Sequence, residues 1–336
     1  MNQRLWKMIT RTAVGTLFAL QLITTAKWWS KPPQGSGLSK DDVDKMIHSL
    51  SNWGRWGKED QLGALNLITP QKRKQAAALV KEGVSVSLAR DVIKEKAFDS
   101  SPFVHKMLKT GQPPETLSSG DEYSVAYHGF TQTHLDALCH LFYKGQMYNG
   151  FSQTEVADKG ALKLSVINMK NGIITRGVLL DFPRLWGVKY LKGRQTIYPK
   201  DLDEWERRTN VKIETGDAVL ISTGRWKRYE KEGEWDAMRD SAGLDVTCMP
   251  WLKKRDVAVL GSDLATDVSP SGIRDVLMPV HLISIVAMGV PILDNCDLET
   301  LGETAASRNR WTFLLTVDPL AVNGGTGSPV NPVATF

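Results

Sequence analysis

Three short apolar runs, 177–182, 217–222 and 257–261, do most to limit what this chain can fold into. Each has the length and composition of a buried strand. Helical patterns lie between and after them, around 199–209, 247–254 and 279–288. A further alternating segment, 84–88, also reads as a strand. Strands and helices mix along the whole chain and no internal repeat is visible. That pattern predicts one α/β domain with a mixed central sheet. With 336 residues, 42 % of them hydrophobic, the chain can fill the core of such a domain.

The N-terminus is a separate object. Arg4, Lys7 and Arg11 make residues 1–11 basic, and 13–26 are mostly apolar and uncharged. That run is short for a membrane-spanning helix, which needs roughly 20 apolar residues. It fits the core of a signal peptide, with Thr24-Thr25-Ala26 as a small-residue cleavage site. The expectation is export to a periplasmic or extracellular space, with an uncleaved membrane anchor as the alternative. Residues 27–40, with Pro32-Pro33 and Gly35-Ser36-Gly37, read as a linker to a folded body over 41–336. The formal charge of +5 falls to +2 without the three N-terminal bases. No basic stripe with interleaved aromatics remains, so nucleic acid is excluded as the expected partner. Cys139, Cys248 and Cys296 are sparse and unpaired in spacing, which argues against a disulfide framework or a thiolate zinc site.

Local signals place several boundaries. Ser39 caps a helix expected over 41–51. Thr69 caps another, with Pro70 at its first position, expected to run to about 82 and stop at Gly83. Residues 94–120 are polar, contain Pro113-Pro114, and read as a long excursion or a flap over a site. A strand over 122–127 is expected to lead into a histidine-rich segment.

That segment carries the chemistry. Three of the six histidines, His128, His134 and His140, fall within thirteen residues, with Asp136 among them. In extended chain His134 and Asp136 project to the same side. An imidazole and a carboxylate converging there begin a divalent-metal site, and nitrogen and oxygen donors suit Zn²⁺, Mn²⁺ or Fe²⁺. His128 has the same parity and supplies a third ligand if the chain bends at Gly129. His140 either ligates or serves as a base. Trp53 and Trp56 are candidates for the wall of an aromatic-substrate pocket, with core packing as the alternative. Cys139 reads as a small buried residue. Residues 324–328 lack the lysine and following helix of a phosphate loop, and read as a C-terminal turn near the site.

The segment Thr133-His134-Leu135-Asp136-Ala137-Leu138-Cys139-His140 resembles the signature of the cyclase family, which includes bacterial kynurenine formamidase and isatin hydrolase. Asn52-Trp53-Gly54-Arg55-Trp56-Gly57, Tyr148-Asn149-Gly150, Gly261-Ser262-Asp263 and the tail 324–336 carry the resemblance further, so that it spans roughly 45–336. It implies a swivelling β/β/α architecture and one or two divalent ions, zinc or manganese. His134 and Asp136 match the family's metal ligands, and His140 its catalytic histidine. His281 matches a later ligand histidine, and Asp294 stands where a glutamate is common. The first motif histidine falls on Phe130 and the motif glycine on Gln132, with His128 the nearest substitute. The resemblance further implies hydrolysis of a small-molecule amide, such as an aryl formamide or cyclic amide, and a homo-oligomer. A non-catalytic metal- or ligand-binding protein and a ring-closing or dehydrating enzyme are the alternatives on the same scaffold.

Overall fold

The computed structural model describes residues 37–96, 102–112 and 117–336. The chain divides into two units, Met1–Pro32 and Pro33–Phe336. The expected export segment and residues 27–36 of the linker lie outside the described residues. Among the described residues no helix is long and apolar enough to cross a membrane.

The second unit is built on the expected mixed sheet, here of nine strands. Its parallel centre comprises Ile173–Asp181, Ala218–Ser222, Val259–Ser262 and Ile292–Asp294. The first three fall on the apolar runs of the sequence, as burial on both faces of a parallel sheet requires, and Ile292–Asp294 joins them as a fourth that was not expected. Antiparallel strands close both sides. Thr312–Val317, Val333–Thr335 and Ser85–Ser87 follow one another on one side. His134–Asp136 and Gly327–Pro329 follow Ile292–Asp294 on the other. The strand at Ile173 begins four residues before the apolar run, because residues 173–176 pair with Thr312–Val317 while alternating between buried and half-buried positions.

Helix boundaries follow local chemistry where nothing competes with it. Ser39 caps Lys40–Ser49 reciprocally: its hydroxyl accepts from the Asp42 amide at 3.3 Å, and the Asp42 carboxylate accepts from the Ser39 amide at 3.0 Å. The helix from Pro70 ends at Ala77 and not near 82. The amides of Glu82 and Gly83 bond instead to the C-terminal carbonyl of Phe336, at 3.1 and 2.9 Å, which draws the chain out of helical register. The expected strand at 122–127 lies at Gly120–Ser124, and its partner Val104–Lys109 comes from the excursion itself. The two form an exposed hairpin.

The helix beginning Pro279–Leu282 continues through a π-helical turn, Ile283–Met288, and ends at Gly289 with φ of +63°. Its last carbonyls need external donors. The loop at Asn52 provides them. The Asn52 amide bonds to Ala287 O at 2.9 Å, Asn52 Nδ2 to Met288 O at 2.7 Å, and Trp53 Nε1 to Val286 O at 2.6 Å. Gly63 packs so closely on Gly289 that a Cβ would sit 2.2 Å from its carbonyl oxygen, and φ at Gly63 is +59°. Replacing Gly63 by Ala is therefore expected to destabilise the fold by about 2–4 kcal/mol, combining overpacking with left-handed strain. Urea denaturation checks this, and a loss below about 0.5 kcal/mol, the scale of a neutral surface change, would contradict the packing described.

Candidate metal centre

Strand His134–Asp136 is wedged between two antiparallel neighbours, and its register builds the site. Asp294 is directly opposite His134 on one side, and Gly327 is opposite Asp136 on the other. Directly opposed residues bring their side chains together. A Cβ at Gly327 would lie 2.4 Å from Leu135 O and 3.0 Å from His128 Cε1, so only glycine lets the tail strand come this close. His134 and Asp136 share a face as the alternation requires, with Nε2 and Oδ1 3.4 Å apart and both residues buried.

The chain bends at Gly129, φ +129°, and carries His128 into the same cluster. Its Nδ1 lies 2.9 Å from Asp136 Oδ1. Its Nε2 is 3.0 Å from the Thr326 hydroxyl, and its ring stacks on His140 at 3.9 Å and 8°. His140 Nε2 is 3.9 Å from Asp136 Oδ2. Phe130, at the position of the motif's first histidine, puts no donor into the cluster and lines the adjoining cavity. Gln132 is buried and donates to Ile93 O, while its own carbonyl accepts from His134 Nδ1 at 2.8 Å. That bond turns His134 Nε2 toward Asp136.

His281 and Asp294 complete the surroundings. His281 Nδ1 is 2.6 Å from Asp267 Oδ2, and its Nε2 is 3.0 Å from Asp294 Oδ2. Asp267 also accepts from the amides of Val280 and His281, which anchors the carboxylate at the first turn of that helix. This is the arrangement by which an outer carboxylate fixes the tautomer and aim of a histidine. Asp267 was missed in the sequence because it is an isolated acid fourteen residues from His281. Thr326 was missed because its role depends on a contact across almost two hundred residues.

The donors fit a divalent cation. Two sets, His128 with Asp136 and His140, and His134 with Asp136 and Asp294, each bring their ligand atoms within 4.8 Å of one another. They share Asp136. His128 Nδ1, Asp136 Oδ1 and Asp294 Oδ1 are buried without a hydrogen-bond partner, although the first two approach to 2.9 Å. Unpaired buried polar atoms are costly in a finished protein, and cations held by the two sets would satisfy these. The donor set is nitrogen and oxygen only, and the three cysteines are buried and free. Burial pushes the Cys139 thiol up to about 12, so it stays protonated.

Charge is divided unevenly over the cluster. Burial opposes ionisation of Asp136, but the His128 and His134 rings outweigh it and hold the carboxyl well below its usual range. Burial likewise opposes a charge on His134, but Asp136 beside it prevails and raises the ring to about 9. Asp294 and Asp267 hold His281 well above its ordinary value against the same effect of burial. His140 goes the other way: burial lowers it, and the neighbouring histidines add to this. It is therefore neutral near pH 7.

The cluster floors a cavity of about 700 Å³. Its walls are mostly apolar, among them Phe130, Leu141, Met238 and Leu282. Neither Trp53 nor Trp56 lines it, contrary to the substrate-wall reading. Trp53 clamps the π-helical turn, and Trp56 lies under the Arg55 guanidinium at 4.7 Å. No described residue of 94–120 lines it either, so the described part of the excursion does not act as a flap over this cavity. The C-terminal turn does reach the site, through Thr326 and Gly327.

The sequence matches the Cyclase family over residues 57–268. The chain belongs to the cyclase family. A crystal structure of a novel cyclase superposes with a TM-score of 0.77 at 28 % identity, over 85 % of this chain and 99 % of that one. Isatin hydrolase A from Labrenzia aggregata, bound to benzyl benzoate, gives 0.56 at 18 % identity, over 77 % and 94 %. An isatin hydrolase bound to the product analogue thioisatinate gives 0.55 at 16 %, over 78 % and 94 %. These two establish a shared cyclase fold. No curated protein matches the sequence significantly. The family match contains the whole cluster from His128 to His140, and stops before His281 and Asp294.

The raised value of His134 has a measurable consequence. An incoming cation must displace its proton. Metal affinity is therefore expected to rise as pH goes from 6.5 to 9, with proton release on binding. In the metal-free protein the sign reverses. His134 contributes stability that is complete below its unfolded value of 6.5 and is lost as pH rises through about 9. His281, also raised, acts in the same direction. Titration calorimetry in buffers of different ionisation enthalpy, beside melting curves at each pH, checks both. Metal affinity independent of pH over this range would refute the assignment.

Proposed function

We propose that this chain hydrolyses an amide or ester bond in a small molecule, with a divalent cation held by His134, Asp136 and Asp294, with His128 beside the shared Asp136, and with His140 as the proton acceptor. The observation that carries the reading is the donor set of His134, Asp136 and Asp294, with the unpaired buried oxygens of Asp136 and Asp294, at the floor of an apolar cavity beside His140. The fold shared with isatin hydrolases and the sequence resemblance to arylformamidases support it. A bound cation supplies Lewis acidity and eases ionisation of water at neutral pH.

The chain's own residues do the rest. His140, kept neutral by burial, lines the cavity and takes the proton lost by water. The same ring returns it to the departing nitrogen or oxygen, so water is added across the bond with no other reactant. Stacking on His128 holds the His140 ring in place. Gln132 O and Thr326 orient the imidazoles of His134 and His128. Asp267 aims His281 at Asp294, where it acts as a further candidate ligand and positioning residue. The mostly apolar wall lowers the polarity around the floor and strengthens charge interactions there.

Replacing His140 by Ala is expected to lower kcat about 100-fold or more while metal content is unchanged, the scale of a lost general base. Replacing Asp136 by Asn should abolish metal binding. Elemental analysis combined with a screen of aryl formamides, lactams and esters checks both, and full activity after exhaustive metal removal would end the proposal. A non-catalytic binder is the second reading, favoured by Phe130 at a ligand position. It predicts no turnover in the wild type and no effect of the His140 substitution on ligand binding. Asp267→Asn tests the orienting role: metal affinity should fall roughly 10–100-fold, as for other outer carboxylates. An unchanged affinity would remove that role.

A further inference from the structure

The cavity above the metal centre carries information about what enters it. At about 700 Å³ it falls in the range that accepts drug-sized ligands, well beyond the needs of one aromatic ring. Phe130 and Met278 line it, and so do Phe142 and Leu277, which are exposed by 43 % and 71 %. Large apolar side chains left open to solvent at a cavity wall are a surface with an apolar ligand to cover.

The charges facing the same cavity discriminate further. Away from the floor, the cations that line it are Lys40 and Lys144. Both are engaged by Asp44, whose carboxylate lies 3.2 Å from Lys40 Nζ and 3.0 Å from Lys144 Nζ. Asp275 brings a further carboxylate to the wall, and Asp136 and Asp294 stand on the floor. Away from the floor an anionic group would meet the carboxylates of Asp44 and Asp275, and lysines that Asp44 already engages. Binding it would compete with the Asp44 pairs, which a neutral apolar group leaves intact.

We propose that the substrate is a neutral amide, lactone or ester whose non-reacting part is apolar and larger than a single aromatic ring, and that Phe130, Met278, Phe142 and Leu277 select for that part. The inference rests on the hydrolase reading for the bond that is cleaved, and on the cavity alone for the group that is bound.

The test compares three phenyl esters on the metal-loaded protein: phenyl acetate, phenyl hexanoate and the monophenyl ester of adipic acid. Phenyl hexanoate should give a kcat/KM roughly tenfold or more above both others, the scale on which apolar pockets discriminate. Leu277→Asp should reduce the preference for hexanoate over acetate by a similar factor. Phe142→Asp provides a second exposed site, and melting curves confirm that the variants fold. Equal turnover of the adipate ester, or of the acetate, would overturn the proposal. A parallel binding titration uses hexyl phenyl ether and 6-phenoxyhexanoic acid, which cannot be hydrolysed. Tighter binding of the ether supports the substrate class even if no ester is cleaved, an outcome that would sink the hydrolase reading alone. Equal or tighter binding of the acid overturns the substrate class whatever the esters do.

Discussion

Everything at this site turns on one buried carboxylate. Asp136 lies beneath the imidazoles of His128, His134 and His140, and its low proton affinity keeps a negative charge in an otherwise apolar interior. An isolated ion there would be heavily penalised by desolvation. Surrounding donors, and a cation where one binds, are what make the position tolerable. The same charge raises His134. At His140 it is outweighed by burial and by the neighbouring rings, which leaves a base beside an acid at one pH.

The sheet exists in this form partly to place that carboxylate. Four parallel strands give a rigid buried centre, and the motif strand joins it as an antiparallel addition between Ile292–Asp294 and the C-terminal tail. A slip of one residue in either pairing would send His134 and Asp136 to the opposite face and separate His134 from Asp294. Register is therefore a constraint on the donor cluster as much as on the sheet. It is guarded by contacts away from the donors. Thr133 donates to Asn295 O at 2.8 Å, and Asn295 Nδ2 donates to the carbonyls of Gly129 and Gln132. Arg225 reaches Asn295 Oδ1 and the Phe130 carbonyl. The turn that brings His128 inward is thereby held by Asn295, just past strand Ile292–Asp294, and by Arg225, the first residue of a helix.

The departures from the family motif make sense in this geometry. Phe130 replaces a donor with cavity wall, and His128 reaches the cluster from two residues earlier through the bend at Gly129. Gln132, where glycine is usual, turns away from the cavity to bond Ile93 O. The donor set is kept while one side of the pocket becomes more apolar. That exchange links the metal centre to the kind of molecule the cavity admits.

The local determinants were legible in the sequence alone. Alternation put His134 and Asp136 on one face, apolar runs marked three of the four parallel strands, and Ser39 and Thr69 marked helix starts, because each depends on neighbours within a few residues. The family resemblance added His281 and Asp294 to the list of candidates, and the structure places both beside the cluster. Tertiary structure decided what depends on contacts between distant segments. It decided that Trp53 is spent on the carbonyls of a π-helical turn, that the helix from Pro70 gives way to bonds with Phe336, and that the excursion pairs with the strand that follows it. It also decided that Asp267 and Thr326 belong to the site. Sequence periodicity reports which face a side chain takes along its own element; only the packed sheet determines which other element that face will meet.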